Sequence, residues 1–242
     1  WSILCKIPKF LQAMKSEKDA LENFLKAQEL DCIISDNRYG LYHSDIPSIL
    51  LTHQLSLQLK FAKRKADAFM RELVSNFDEV WVPDEEGALL SGQLSQLENL
   101  PIKKYYMGSM SHLSRLNISE FNEDSRDSYL AILSGPEPLR SHFEDRLVSI
   151  AEHQRVPIKI IRGTQQLRKI QTNYEYVEFK DWLSTKEILE ATQNHLGVIC
   201  RSGYSSLMDL SWLKRRALFI PTPGQVEQEY LSKYHLESRH FY

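Results

Sequence analysis

Two runs toward the C-terminal end of the chain place small polar residues, glycine and acidic or amide side chains at spacings suited to holding a phosphorylated ligand. They are Arg201-Ser202-Gly203-Tyr204-Ser205-Ser206-Leu207-Met208-Asp209 and Thr222-Pro223-Gly224-Gln225-Val226-Glu227-Gln228-Glu229. An apolar run from Gly197 to Cys200 stops at the first, after which Ser205, Leu207, Asp209, Leu210 and Leu213 follow helical spacing. A strand, a turn and a helix are expected, with backbone N–H groups at the helix N-terminus, where unpaired donors and the positive end of the dipole attract phosphate. The second run follows another strand (Ala217 to Ile220) and opens a helix near Glu227. A third turn, Ser134-Gly135, ends a strand on the same predicted sheet edge. Together the three turns supply hydroxyls and bare N–H groups for a diphosphate. Asp209, a turn or so into its helix, could accept two hydrogen bonds from a ribose diol. Plainer readings stand beside these: glycine also serves close helix–strand packing, and a carboxylate near a helix start also suits the dipole.

The first half carries a second polar edge. Asp31 to Ser35 and Ile46 to Leu51 read as short buried strands, closed by Asp36-Asn37-Arg38-Tyr39-Gly40 and by Thr52-His53-Gln54. In an open parallel sheet ligands bind at strand C-terminal ends. His53 is the candidate general base, because an unperturbed imidazole titrates near neutrality, and Asp36 could orient it or the substrate. A histidine after a strand is also a common structural residue.

The elements needed to position these groups can be traced along the chain. Apolar residues from Ile7 to Leu30 recur at helical spacing, as one long helix or two short ones. A further amphipathic helix is expected over 56–75, with Leu57, Phe61, Phe69 and Leu73 on one side and Lys60, Lys63, Arg64, Lys65 and Arg71 on the others. Such a helix could lie on an anionic membrane, or its charges could be an ordinary solvated face. Val80 to Val82 and Lys103 to Met107 are expected strands. The polar, acidic stretch 117–127 suits a linker between a unit over 1–116 and a second over 128–242. Beyond it, strands at Tyr129 to Leu133, Pro157 to Ile161 and Tyr174 to Phe179 alternate with helices at Leu139 to His153 and Thr185 to Asn194. Such alternation indicates α/β architecture with parallel sheets.

Composition excludes several classes. With 242 residues and 42% apolar content the chain can bury ordinary cores. A formal charge of −2 argues against electrostatic binding to nucleic acid. No run of 18 or more apolar residues reads as a transmembrane helix. The three cysteines, Cys5, Cys32 and Cys200, show neither zinc nor redox spacing and suit a reducing, cytoplasmic setting. Trp1 is not a natural start, so the chain is expected to be a fragment of a longer protein.

Arg201 to Asp209 followed by Pro221 to Tyr230 resembles the donor-binding signature of GT-B glycosyltransferases of the family that includes the N-acetylglucosaminyl transferase of peptidoglycan synthesis (family 28). The likeness covers about residues 128 to 236. It implies two Rossmann-like parallel-sheet domains facing a cleft. It places Gly203, Ser205 and Ser206 at the phosphates and Asp209 at the ribose, likens Ser134-Gly135 to the first glycine turn of the donor domain, and counts Arg201, Ser202 and Tyr204 among the donor-binding residues. Gln228 falls at the sugar hydroxyls, with Glu229 where the family has a second glutamine, and Thr222, Gly224 and Gln225 belong to the same donor-binding set. In the first half, the Ile46 to Gln54 run is similar to the acceptor-side strand that ends in a His/Glu/Gln cluster. The family's opening strand and Gly-Gly-His or Gly-Gly-Leu loop have no counterpart, since Gly40 is the first glycine. The acceptor-side domain is therefore expected to lack its N-terminal strands.

The implied function is transfer of a hexose from a UDP-sugar-type donor to an unknown acceptor, with inversion. With no Asp-x-Asp motif, departure of the diphosphate is expected to need no metal, and no cofactor is implied. An epimerase or hydrolase acting on nucleotide sugars, or a non-catalytic nucleotide-sugar-binding module, would use the same fold. Lipid, glycan and small-molecule acceptors all stay open, with the basic helix tilting the expectation toward a membrane-surface acceptor and a peripheral location.

Overall fold

The computed structural model describes residues 7–58, 62–116, 127–164, 174–238 and 241. The chain forms two compact units, Trp1–Gly108 and Ser109–Tyr242.

In the first unit, β1 (Ile33–Asp36), β2 (Ser48–Leu51), β3 (Glu79–Val82) and β4 (Lys103–Tyr106) form one parallel sheet in the order β1-β2-β3-β4. Strand order that advances in one direction through right-handed crossovers keeps its connecting helices on one face. The connecting helix α2 (Lys63–Val74) and the preceding α1 (Ile7–Leu25) contribute to a single core. Leu50, Val80 and Val82 of the sheet meet Met70, Leu73 and Val74 of α2, and Phe10 and Met14 of α1 pack on the same cluster. Gly40 is required by this packing, since a Cβ there would lie 2.3 Å from the Met14 carbonyl oxygen. The alternate residues point the other way: Ile34 is 57% exposed and Tyr105 41% exposed. One face of this sheet is therefore covered and the other is open along Ile34 and Tyr105.

The helix expected over 56–75 begins only at Lys63. Leu55 and Ser56 are buried, and their N–H groups both donate to the Leu94 carbonyl at 2.8 Å, which holds that stretch out of a helix. Ala62 then takes a left-handed conformation (φ 62°) at the helix start. Leu57 lies before the helix, whereas Lys60 and Phe61 lie outside the described residues. Lys63 pairs with Asp67 across one turn at 3.2 Å. Likewise, α1 stops at Leu25, short of Leu30.

A buried carboxylate organises the loop after β3. Asp84 has no exposure, and its oxygens accept from the N–H groups of Glu85, Leu90 and Ser91 at 2.7–3.2 Å and from Ser91 Oγ at 2.6 Å. A buried charge persists where charge-assisted bonds of this kind replace water.

The second unit carries β5 (Tyr129–Ile132), β6 (Ile158–Ile161), β7 (Val177–Lys180), β8 (Val198–Cys200) and β9 (Ala217–Phe219) in a parallel sheet of order β7-β6-β5-β8-β9. Between them run α3 (Leu139–Gln154), α4 (Thr185–Gln193) and α5 (Tyr204–Trp212), and α6 (Val226–Ser238) follows β9. The winding reverses between β5 and β8. The central strands are apolar on both sides, and all three β8 residues are buried, the pattern of a parallel sheet covered on both faces. One layer joins Ala131, Ile160 and Ile199 to Phe143, Leu147 and Ala151 of α3. Residues 109–116, expected in the first unit, belong to the second, where Leu113 packs with Leu189 and Leu213. Of the expected linker, 117–126 lies outside the described residues.

Candidate functional site

A sheet whose winding reverses leaves a crevice at the C-terminal ends of the two strands flanking the reversal, because their connections depart to opposite faces. In the second unit those strands are β5 and β8, paired from Leu130↔Val198 to Ile132↔Cys200. The turns that follow them begin at Leu133 and Arg201, so Ser134-Gly135 and Arg201-Ser202-Gly203 share the reversal point. Gly135 has φ 98°, a conformation glycine adopts without strain.

Gly203 is the N-cap of α5, and its role differs from that of Gly135. Its backbone is extended (φ −76°, ψ 144°), so any residue could adopt it, and a Cβ built there meets no atom within 4 Å. Neither backbone strain nor packing calls for glycine. As the N-cap, Gly203 has no side chain to cap the helix start, whereas α4 begins with a complete capping box between Ser184 and Glu187. The start of α3 is met by Glu137, which accepts from the Ser141 N–H at 3.2 Å and is held down to about pKa 2, chiefly by Arg140. The N-terminus of α5 thus presents its first turn beside open space, the arrangement that attracts an anion.

Several residues expected around a ligand fasten the turns to one another. Arg201 is buried and stacks 4.1 Å over the Phe143 ring. Its guanidinium donates to the carbonyls of Ile220 and Pro221 at 3.2 and 2.8 Å and of Leu139 at 3.2 Å, so one cation ties together the turns after β5, β8 and β9. Burial lowers its pKa. Ser202 is fully buried and donates to the Gln228 carbonyl at 2.8 Å. The Gln228 side chain accepts from the Thr222 N–H at 2.8 Å, and Glu229 accepts from the Gly224 N–H at 2.9 Å, which shapes the loop carrying Gln225. Tyr204 is buried, Ser205 exposed and Ser206 half-buried.

Asp209 lies on α5 with its side chain 23% exposed. Its Oδ1 accepts from Ser111 Oγ at 2.6 Å and lies 3.4 Å from His112 Nδ1. Burial raises the carboxyl pKa, and the Ser111 hydrogen bond and His112 pull against that rise. Neither Ser111 nor His112 carries a motif that sequence reasoning could use; only the chain's return to α5 reveals them.

Beside this edge lies a group that sequence reasoning missed. Arg162, which follows β6, is 2% exposed. It donates to both oxygens of Glu144 at 2.9 and 2.6 Å and to Asp181 at 3.3 Å, and it lies over the Phe179 ring. The Glu144 hydrogen bond raises its pKa against the effect of burial.

In the first unit, Asp36 ends β1 and is exposed, while His53 follows β2 and is half-buried. The register Asp36↔Leu51 puts them on neighbouring strands at the same sheet edge. Around them, Thr52 Oγ1 donates to Asn37 Oδ1 at 2.9 Å and Tyr39 donates to the Gln54 carbonyl at 3.1 Å. Burial pushes the Tyr39 phenol up to about 12.

Residues 134–235 match the glycosyltransferase family 28 C-terminal domain. Among solved structures the chain is similar to MurG of Acinetobacter baumannii, at 15% identity over 95% of this chain and 62% of that one, with a TM-score of 0.58. It is similar to Arabidopsis thaliana UGT89C1 complexed with UDP-L-rhamnose, at 14% identity over 97% and 62%, with a TM-score of 0.64. It is also similar to Phytolacca americana UGT2 complexed with UDP-2fluoro-glucose and pterostilbene, at 13% identity over 95% and 65%, with a TM-score of 0.61. At these identities the likeness is one of fold, and the chain spans somewhat under two thirds of each structure's length. No curated protein matches the chain. Residues 134–235 thus match the glycosyltransferase family 28 C-terminal domain, within a chain whose two parallel sheets have the fold of GT-B glycosyltransferases.

Proposed function

We propose that the second unit binds a nucleotide sugar and that the whole protein transfers the sugar to an acceptor hydroxyl. The observation that carries this reading is the N-terminus of α5: a helix start at the reversal point of the sheet, with open space where any residue but glycine would place a side chain. A diphosphate fits that site. Asp209 takes the ribose, and the loop of Thr222, Gly224 and Gln225, with Gln228 and Glu229 behind it, takes the sugar. A UDP-type donor and a hexose are the finer reading, supported by the UDP sugars in the two plant structures.

The reaction is an inverting displacement. The acceptor oxygen forms a bond to the anomeric carbon as the bond from that carbon to the diphosphate breaks, and the acceptor proton passes to His53, oriented by Asp36. The departing diphosphate is stabilised by the backbone donors and dipole of α5 and by the Ser134-Gly135 turn, with no metal. The acceptor is drawn from lipids, glycans or small molecules, and the basic residues of α2 favour one presented at a membrane surface on the cytoplasmic side. Among the described residues, no helix is long and apolar enough to cross a membrane.

The test is turnover of UDP-sugars by the whole protein, with and without an acceptor panel and with and without EDTA. Acceptor-dependent release of UDP, unchanged by EDTA, is the expected result. Rapid turnover with no acceptor would establish an epimerase or hydrolase instead, and tight binding without turnover a recognition module.

A further inference from the structure

The second unit opens by laying residues 109–116 against α5. Ser109 Oγ donates to the Met208 carbonyl at 3.1 Å. Ser111 Oγ accepts from the Leu113 N–H at 3.1 Å and donates to Asp209 Oδ1 at 2.6 Å, so one hydroxyl relays a backbone donor onto the carboxylate. His112, whose side chain is 60% exposed, approaches the same oxygen. Leu113, packed with Leu189 and Leu213, and the partly buried Leu116 and Trp212 fix the segment from below. Hydrogen bonds in such a chain polarise one another, and their charge-assisted end is the strong one.

Asp209 stands six residues beyond Gly203, about 9 Å along the helix at its regular rise. That span suits a nucleoside diphosphate whose phosphates lie at the helix start and whose ribose lies at Asp209. A carboxylate free to turn would meet a ribose hydroxyl poorly, because each rotamer lost on binding costs free energy. We infer that Ser111 is a positioning residue for the nucleotide: by fixing Oδ1 it turns the Asp209 carboxylate so that Oδ2 accepts from a ribose hydroxyl. The donor site is thereby extended to the segment through which the chain enters the second unit. The inference rests on the nucleotide-sugar reading above and gives that reading a ribose-specific signature.

Calorimetric titration of the full chain with UDP and with 2′-deoxy-UDP tests it. The unaltered protein is expected to prefer UDP by about fivefold or more, on the order of one hydrogen bond to a charged group. Asp209→Ala removes the preference. Ser111→Ala weakens UDP about 3- to 10-fold and shrinks the preference, and Ser111→Thr, which keeps the hydroxyl, restores both. If Ser111→Ala lowers the melting temperature but leaves UDP affinity and the preference intact, the segment is only a structural latch and the inference is overturned. If the unaltered protein binds no UDP, both the donor reading and the inference fall. Should the alanine variant not fold, amide exchange on the unaltered protein decides: UDP slows exchange across 109–116, and an unchanged rate counts against the inference.

Discussion

Replacing Gly203 by valine is expected to weaken UDP binding by about 100-fold or more, a loss of roughly 2.7 kcal/mol, while the protein stays folded. The expectation follows from an unusual combination at this position. The backbone is in the extended region open to every residue, and an added Cβ meets no protein atom within 4 Å. The substitution strains nothing, so its effect falls on whatever occupies the space above the helix start. Valine is a poorer N-cap than glycine, and a cost of about 0.5–1 kcal/mol in stability is anticipated. Serine separates the two effects. As an N-cap it is better than glycine by a few tenths of a kcal/mol, yet its side chain still enters the open space. Gly203→Ser should therefore raise the melting temperature slightly and still lower UDP affinity about tenfold. Calorimetric titration beside a thermal melt reads both quantities. A serine variant that binds UDP as well as the original would remove the phosphate from this helix start.

The second large effect concerns stability. Arg162→Ala is expected to cost about 3–5 kcal/mol, because it leaves the Glu144 carboxylate buried without its bidentate partner. For a protein of this size that corresponds to a fall of about 10 °C in melting temperature. Removing both members tells a different story. The double substitution Arg162→Met with Glu144→Leu replaces a desolvated ion pair by apolar side chains of similar volume, and the melting temperature should return to within a few degrees of the original. Asp181, the third member, has a side chain 37% exposed and can be solvated when the arginine is gone. If the double variant is as unstable as the single one, the pair stabilises the sheet edge by more than mutual neutralisation.

The strands were legible because short apolar runs bounded by turn residues carry their own signal, and their expected ends differ from the observed ones by a few residues. The order of the strands was less so. It depends on which face each connection takes, and in the second unit the reversal between β5 and β8 is what gives the Gly203 turn its meaning. The helix expected over 56–75 shows the limit of periodicity: Leu57 fits the spacing, but the Leu94 carbonyl captures the N–H groups just before it. Within the site, the turns were readable and the duties of their side chains were not. Arg201 and Ser202 look like ligand contacts by type, yet they donate to backbone carbonyls of other turns, and the Gln228 side chain accepts from the Thr222 N–H of its own loop. The Arg162–Glu144 pair left no trace in the sequence, since its members lie 18 residues apart and only the fold brings them together, and Asp84 is held by N–H groups of its own loop, whose path no residue pattern marked.

The first sheet, with its single covered face, has a bearing on how the chain behaves in solution. Among the described residues β1 pairs on one side only, with β2, so the opposite row of N–H and C=O groups at Ile33–Asp36 is available for pairing. Beside that row, Ile34 carries apolar surface of the open face, which Tyr105 continues on β4 at the far side of the sheet. An unpaired edge next to exposed apolar side chains is where chains join edge to edge. At four residues the edge is short, and Asp36 sets a charge at its end, both of which restrain such growth. Association between copies of this chain is therefore expected to begin at the first sheet and not at the central strands of the second, where all three β8 residues are buried.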